Sequence, residues 1–255
     1  MISCRLAGGL GNMMFQIAAT SAAAWRHGDE AIFYLKENAG MVHKWPYEYE
    51  KTIFRKLRKS ASPLPWEVME YMDHPYKEIP YHKHQKWYGY FQTEKYFKDQ
   101  RDKLIDLFKP TEEQSTYIYN KYKNLLSSNC VSLHIRRGDY VHLKHLHPLL
   151  SSEYYTKALD LLKPFDNVLV FSDDISWCKE NFDKSYEFIS EDDCIELYLM
   201  SQCTNNIIAN SSFSWWAAWL NTNPDKKIIA PQKWFGPDLQ HINTLDLIPK
   251  EWIKI

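Results

Sequence analysis

Hydrophobic and polar positions change their period along this chain. Residues 131–136 alternate Val131, Leu133 and Ile135 with Ser132, His134 and Arg136, which is the two-residue period of a strand. Gly138 then permits a sharp exit through Arg136-Arg137-Gly138-Asp139. Downstream, strands at 167–171, 186–189, 206–209 and 227–230 are separated by helical periods at 153–162, 175–182, 192–200 and 215–220. Strands alternating with helices of this length predict a parallel sheet with right-handed crossovers.

Upstream, a strand at 2–6 runs into Ala7-Gly8-Gly9-Leu10-Gly11-Asn12, and 13–25 is rich in Ala, Met and Ile at helical spacing. A second strand is expected at 31–35. Between 37 and 84, Pro46, Pro63, Pro65, Pro75 and Pro80 predict loops and short helices. His43, Trp45, Trp66, His74, His82 and His84 in this segment either line an acceptor groove or pack on one another as a lid. Residues 86–91 are strand-like, and 94–108 carry Tyr96, Phe97, Leu104, Ile105 and Phe108 at helical spacing before Pro110. Thr111 with Gln114 resembles a capping box for a helix reaching about residue 126. Ser127-Ser128-Asn129 then marks the expected boundary between an N-terminal domain, 1–127, and a C-terminal domain, 128–255.

Composition narrows the classes. At 255 residues and 45% hydrophobic, the chain can build one large or two small cores. The 31 Lys+Arg against 32 Asp+Glu argue against a broad nucleic-acid footprint while allowing a small anion in a local basic cleft. Ten Trp and seventeen Tyr suit sugar or base stacking as well as ordinary cores. Cys4, Cys130, Cys178, Cys194 and Cys203 have no C-x-x-C spacing and read as reduced thiols of a cytosolic chain. Neither a signal peptide nor a transmembrane segment is indicated, so the expected location is cytoplasmic, with peripheral association at the inner membrane face left open.

In a parallel sheet the strands point one way, so three motifs should emerge along one edge: Arg136 to Asp139, Ser172 to Asp174, and Asn210 to Ser214. Each has a plain structural reading: ion pairs for the arginines, N-caps for Asp173, Asp174, Ser211 and Ser212. Together they describe a nucleotide pocket. It combines arginine forks for phosphate, a carboxylate for ring N–H groups, and hydroxyls with free amides before a helix N-terminus. Upstream, Gly9 and Gly11 before a helix could cradle a phosphate, or could simply make a tight turn, since the third glycine of the dinucleotide fingerprint is missing. Asp173-Asp174 could also be read as metal ligands, but no carboxylate or His at supportive spacing joins them, and no metal is expected. His142, His145 and His147 are widely spaced in a polar loop.

Gly8-Gly9-Leu10-Gly11-Asn12-Met13-Met14-Phe15-Gln16, His134-Ile135-Arg136-Arg137-Gly138-Asp139-Tyr140 and Ser211-Ser212-Phe213-Ser214-Trp215-Trp216, in this order, resemble the α-1,2-fucosyltransferases of glycosyltransferase family 11. The resemblance implies an α/β, GT-B-like fold, two Rossmann-like domains whose parallel sheets face a cleft. In it, GDP-β-L-fucose would be held mainly by the C-terminal domain, and the N-terminal domain would lie on the acceptor side. It implies that Arg136 grips the diphosphate, with Arg137 beside it, that His134 and Asp173 lie by the guanosine, that Ser211, Ser212 and Ser214 contact phosphate, and that Asn12 reaches the β-phosphate. Inversion at the anomeric carbon without a metal or other cofactor would follow, the partners being GDP-fucose and a galactose-terminated glycan. Asp139 is the candidate base for the acceptor 2-hydroxyl; alternatively it orients Arg136 and Arg137. A transferase of another linkage, or a non-catalytic nucleotide- or glycan-binding module on the same fold, are the other readings.

Overall fold

The second half of the chain builds a sheet in which every strand is parallel to its neighbours. In the computed structural model, which describes residues 1–37, 44–71 and 75–255, it is formed by β4 (Cys130–Ile135), β5 (Asn167–Ser172), β6 (Glu187–Phe188), β7 (Asn205–Ile207), β8 (Ile228–Ala230) and β9 (Ile253–Lys254). Their spatial order is β6-β5-β4-β7-β8-β9. In chain order that is 3-2-1-4-5-6, the doubly wound dinucleotide-binding arrangement, whose order reverses between the first and fourth strands. Here the reversal falls between β4 and β7, paired in the register Val131↔Asn205 and Leu133↔Ile207.

Helices α4 (Ser152–Leu162), α5 (Ile175–Asn181), α6 (Asp193–Gln202) and α7 (Ser212–Leu220) connect these strands. β4 reads as an alternating strand, yet all six of its residues are buried. Helices on both faces of a parallel sheet leave a central strand no solvent side, so its polar positions must find partners inside. Ser132 does so: its Oγ accepts from Asn206 Nδ2 at 2.7 Å, and Asn206 Oδ1 accepts from Asn221 Nδ2 at 2.8 Å. Val131, Leu133 and Ile135 pack with Tyr155, Ala158, Val168, Val170 and Ile207 in one apolar cluster. α7 starts at Ser212, three residues before its expected start, and β9 is a short edge strand the pattern does not reveal.

The chain forms two compact units, Met1–Thr111 with Asn243–Pro249, and Glu112–Ile242 with Lys250–Ile255. The boundary expected after residue 127 therefore lies ahead of helix α3 (Glu112–Leu126), which belongs to the second unit. Glu191 holds it there, accepting from Lys121 Nζ and from the Tyr122 hydroxyl, each at 2.5 Å. Residues 243–249 return to the first unit, where Asp246 accepts from the Tyr76 backbone N–H at 3.1 Å and pairs with Lys95.

The first unit carries a smaller parallel sheet, β1-β3-β2, from β1 (Ser3–Cys4), β2 (Glu67–Glu70) and β3 (Gln85–Tyr88). β2 lies in the proline-containing segment expected to hold loops and short helices. The strand expected at 31–35 is reduced to two isolated bridges, Ile2↔Ala31 and Phe33↔Lys59. The helix expected over 94–108 is broken into two 3-10 turns and α2 (Arg101–Leu107), with the Phe97 N–H bonded to the Glu94 carbonyl. Helix α1 (Leu10–Arg26) is buried along nearly its whole length, the sign of its Ala, Met and Ile content. His43 and His74 lie outside the described residues.

Candidate active site

The carboxyl ends of β4 and β5 place Arg136, Arg137, Asp139, Asp173 and Asp174 in one cluster. Arg136 Nη1 lies 3.0 Å from Asp173 Oδ2, and its Nη2 donates to Asp139 Oδ1 at 2.7 Å. Arg137 is fixed by its backbone N–H to Asp173 Oδ1 at 2.8 Å, by Nε to Asp174 Oδ2 at 3.1 Å, and by its guanidinium 3.7 Å above the Trp177 ring. Asp174 also caps α5 through the Trp177 N–H at 3.3 Å. The turn that allows this depends on Gly138: a Cβ there would sit 2.3 Å from Asp173 Oδ2. The ion-pair reading of these residues is therefore realised, and it is also what holds the Arg136 fork in a single orientation.

Three carboxylates face two guanidiniums, so anion affinity here has to come from directed donors more than from net charge. The N-terminus of α7, with no acidic residue in its first turn and no side-chain cap from Ser211, supplies such donors at the strand-order reversal. Ser211 and Ser212 stand at that N-terminus. Ser214 is turned inward, 1% exposed, and its hydroxyl donates to the Ser211 carbonyl at 3.3 Å.

His134 is buried near the end of β4 with its ring 5.7 Å from Phe213. Its Nδ1 is buried without a hydrogen-bond partner. Burial, with Arg136 adding repulsion, lowers its pKa to about 3, so the imidazole is neutral. Asp139, by contrast, has one oxygen bound to a guanidinium, the geometry of an orienting residue.

Two residues of the sequence motifs, Tyr140 and Asn210, hold the site together through contacts the sequence does not reveal. The Tyr140 hydroxyl donates to the Asn210 carbonyl at 3.0 Å; the Arg136 guanidinium stands 5.3 Å from the Tyr140 ring centroid, and His147 stacks on the ring at 4.7 Å. Asn210 Nδ2 donates to the carbonyls of Pro148 at 3.1 Å and Trp234 at 3.0 Å, tying together the loops that follow β4, β7 and β8. The sequence places Asn210 at the head of the third strand-end motif but not in these ties, because its partners are distant in the chain.

In the first unit, Gly9 is the N-cap of α1 and Gly11 lies inside its first turn. The glycine that needs its conformational freedom is Gly8, at φ 75°, where a Cβ would lie 2.6 Å from Asn12 Nδ2. Asn12 sits in the first turn of α1 with Oδ1 accepting from Gln92 Nε2 at 2.9 Å. Gln16 secures the same turn, accepting from the Ala7 N–H at 2.9 Å and donating to the Gly89 carbonyl at 3.0 Å.

All five cysteines are buried, and none forms a disulfide. Among the described residues no helix is long and apolar enough to cross a membrane.

Comparison with known proteins gives these features a setting. The chain is 36% identical over 185 residues to the O-antigen biosynthesis glycosyltransferase WbnK of Escherichia coli, and 37% identical over 188 residues to an α-1,2-colitosyltransferase of Escherichia coli. Both matches cover 66% of this chain, and 60% and 61% of those relatives' own lengths. In fold, it is similar to the α-1,6-fucosyltransferase NodZ co-crystallised with GDP, at a TM-score of 0.56 and 14% identity, covering 85% of this chain and 91% of the other. The α/β, GT-B-like architecture with parallel sheets is thus shared with a fucosyltransferase of little sequence identity. The family model for glycosyl transferase family 11 matches residues 1–255, and this chain belongs to that family.

Proposed function

We propose that this chain transfers L-fucose from GDP-β-L-fucose to the 2-hydroxyl of a terminal galactoside, inverting the anomeric centre and using no metal, in the synthesis of a surface glycan. The observation that carries this reading is the Arg136 fork, braced by Asp139 and Asp173 at the strand-order reversal next to the N-terminus of α7. Breaking the fucose C1–O bond puts charge on a departing diphosphate while the ring becomes oxocarbenium-like. A guanidinium already held in place, with helix amides beside it, stabilises that charge without reorganising. The family and the 1,2-linkage in the colitosyltransferase's name support transfer to a 2-hydroxyl, and the O-antigen role in WbnK's name supports a polysaccharide acceptor.

In this reading His134 Nδ1, buried and unpartnered, is completed by the guanosine, while Ser211 and Ser212 meet phosphate; the family resemblance assigns Asn12 to the β-phosphate. Arg137 and Asp173 act through Arg136 and the turn. Asp139 orients Arg136 in preference to taking the acceptor proton, because its Oδ1 already accepts from the guanidinium. The similarity to a colitosyltransferase favours a second donor, a GDP-linked deoxyhexose other than fucose, at the same pocket.

The test is GDP release from GDP-fucose by the purified protein in EDTA, with and without lactose, beside Arg136→Ala. Lactose-dependent turnover that survives EDTA, and a fall on the order of 10²–10³-fold in the variant, are the expected results. Absence of GDP binding would overturn the proposal.

A further inference from the structure

The first unit carries chemistry that the donor site does not use. One face of its sheet is apolar, with Cys4 and Trp87 buried. The opposite face carries Lys86 and Tyr88 on β3 and, just past β1, Arg5. Glu37 lies against this face: its carboxylate is 2.6 Å from Lys86 Nζ and 3.4 Å from Arg5 Nε, while the Arg5 guanidinium stands 5.5 Å from the Tyr88 ring centroid. Lys86 is 7% exposed, but Glu37 and Arg5 keep 31% and 41% of their side chains open. A lysine buried on a sheet face carries a desolvation cost that an apolar residue would not, and only a paired charge offsets it. Here it anchors a carboxylate with spare lone pairs beside a guanidinium with further donors. Such a pair suits neighbouring hydroxyls, which donate and accept at once.

The residue before Glu37 belongs to a second feature. Lys36 lines a cavity of about 500 Å³ together with Trp45 and Tyr47. The two rings are stacked with centroids 6.2 Å apart and an interplanar angle of 29°, and Tyr47 is 46% exposed. An open aromatic pair beside a cavity leaves apolar ring surface uncovered, and the C–H face of a pyranose is a partner of matching shape and polarity.

We infer that the Lys36–Glu37 segment carries the acceptor glycan, Glu37 and Arg5 binding hydroxyls of the terminal sugar and the Trp45–Tyr47 pair taking the face of the sugar behind it. This rests on the proposed transfer to a galactoside, and identifies the residues of the first unit that select the acceptor.

The test is ligand-observed NMR titration of the intact protein, saturated with GDP, using methyl β-galactoside and lactose, with acceptor KM and acceptor-free GDP-fucose hydrolysis measured alongside. Tyr47→Ala and Trp45→Ala should weaken lactose about three- to tenfold and leave the monosaccharide unchanged. Glu37→Gln, close to isosteric, should weaken both, with GDP affinity and acceptor-free hydrolysis as in the unsubstituted protein. Unaltered lactose binding in Tyr47→Ala and Trp45→Ala, or equal loss of GDP and sugar in Glu37→Gln, would overturn the inference. Failure of the donor reading is separate: it appears as absence of GDP binding, and sugar binding can be read without turnover.

Discussion

Replacing Asp173 by Asn tests how the donor site is built. Asp173 makes two contacts, Oδ2 at 3.0 Å from Arg136 Nη1 and Oδ1 accepting the Arg137 N–H at 2.8 Å. Asn can still accept the backbone N–H, but it turns an uncharged amide, with its own N–H donors, toward Arg136. The side chains of Arg136 and Asp173 are 19% and 25% exposed, so the ion pair is only partly screened. Hydrogen bonds to charged groups contribute about 1.5–3 kcal/mol and fully exposed pairs under about 1 kcal/mol, so a loss of about 1.5 kcal/mol is expected. If that loss falls on the orientation of Arg136, GDP affinity drops about tenfold by calorimetry. The melting temperature should fall by about 3–6 °C. Comparing GDP with IDP, which lacks the exocyclic amine, separates positioning from base reading: an unchanged GDP/IDP ratio is expected. Intact GDP affinity in a destabilised variant would make Asp173 purely structural. A selective loss of the GDP preference would mean that its carboxylate reads the guanine directly.

Three further outcomes follow from the same contacts. Gly138→Ala puts a Cβ 2.3 Å from Asp173 Oδ2, so it should weaken GDP at least as much as Asp173→Asn, and the double variant should fall well short of the sum when both are titrated. His134 has its pKa lowered from 6.5 to about 3, so the unfolded chain binds a proton that the folded one refuses across that window. Its contribution to stability is complete above pH 6.5 and is lost as pH falls toward 3; His134→Gln should flatten that part of a melting-temperature profile. Glu196, raised from 4.5 to about 7 chiefly by burial, has the opposite sign: its cost is absent below pH 4.5 and grows as pH rises through 7. Glu196→Gln keeps a carbonyl to accept the Glu191 N–H, now at 3.1 Å, and should gain stability over the unsubstituted protein at pH 8 but not at pH 4.5, as denaturant midpoints would show.

Much of the site was legible because period and strand termini are local properties. The alternation over 131–136 and the strand-helix succession after it place Arg136, Asp173 and Ser211 at carboxyl ends of parallel strands, and these residues do sit there. Local pattern failed where distant partners decide. The segment at 31–35 has strand character, but only isolated bridges form, so no ladder develops. Helix α3 reads as the end of the first half, yet the Lys121 and Tyr122 contacts to Glu191 assign it to the second unit. Gly9 and Gly11 fit a phosphate turn, whereas the left-handed backbone belongs to Gly8.

By itself, then, the sequence determined the α/β class, the parallel second sheet, the strand ends that bear charge, and the family to which the motifs belong. Each depends on spacing within a few residues or on the identity of a short run. Only the tertiary structure decided the strand order with its reversal between β4 and β7, the two carboxylates that brace Arg136, the Asn210 ties to Pro148 and Trp234, and the Glu37 cluster. The physical reason is the same in every case: a hydrogen bond or ion pair acts over about 3 Å whatever the separation along the chain, so its partners are set by how the backbone returns on itself.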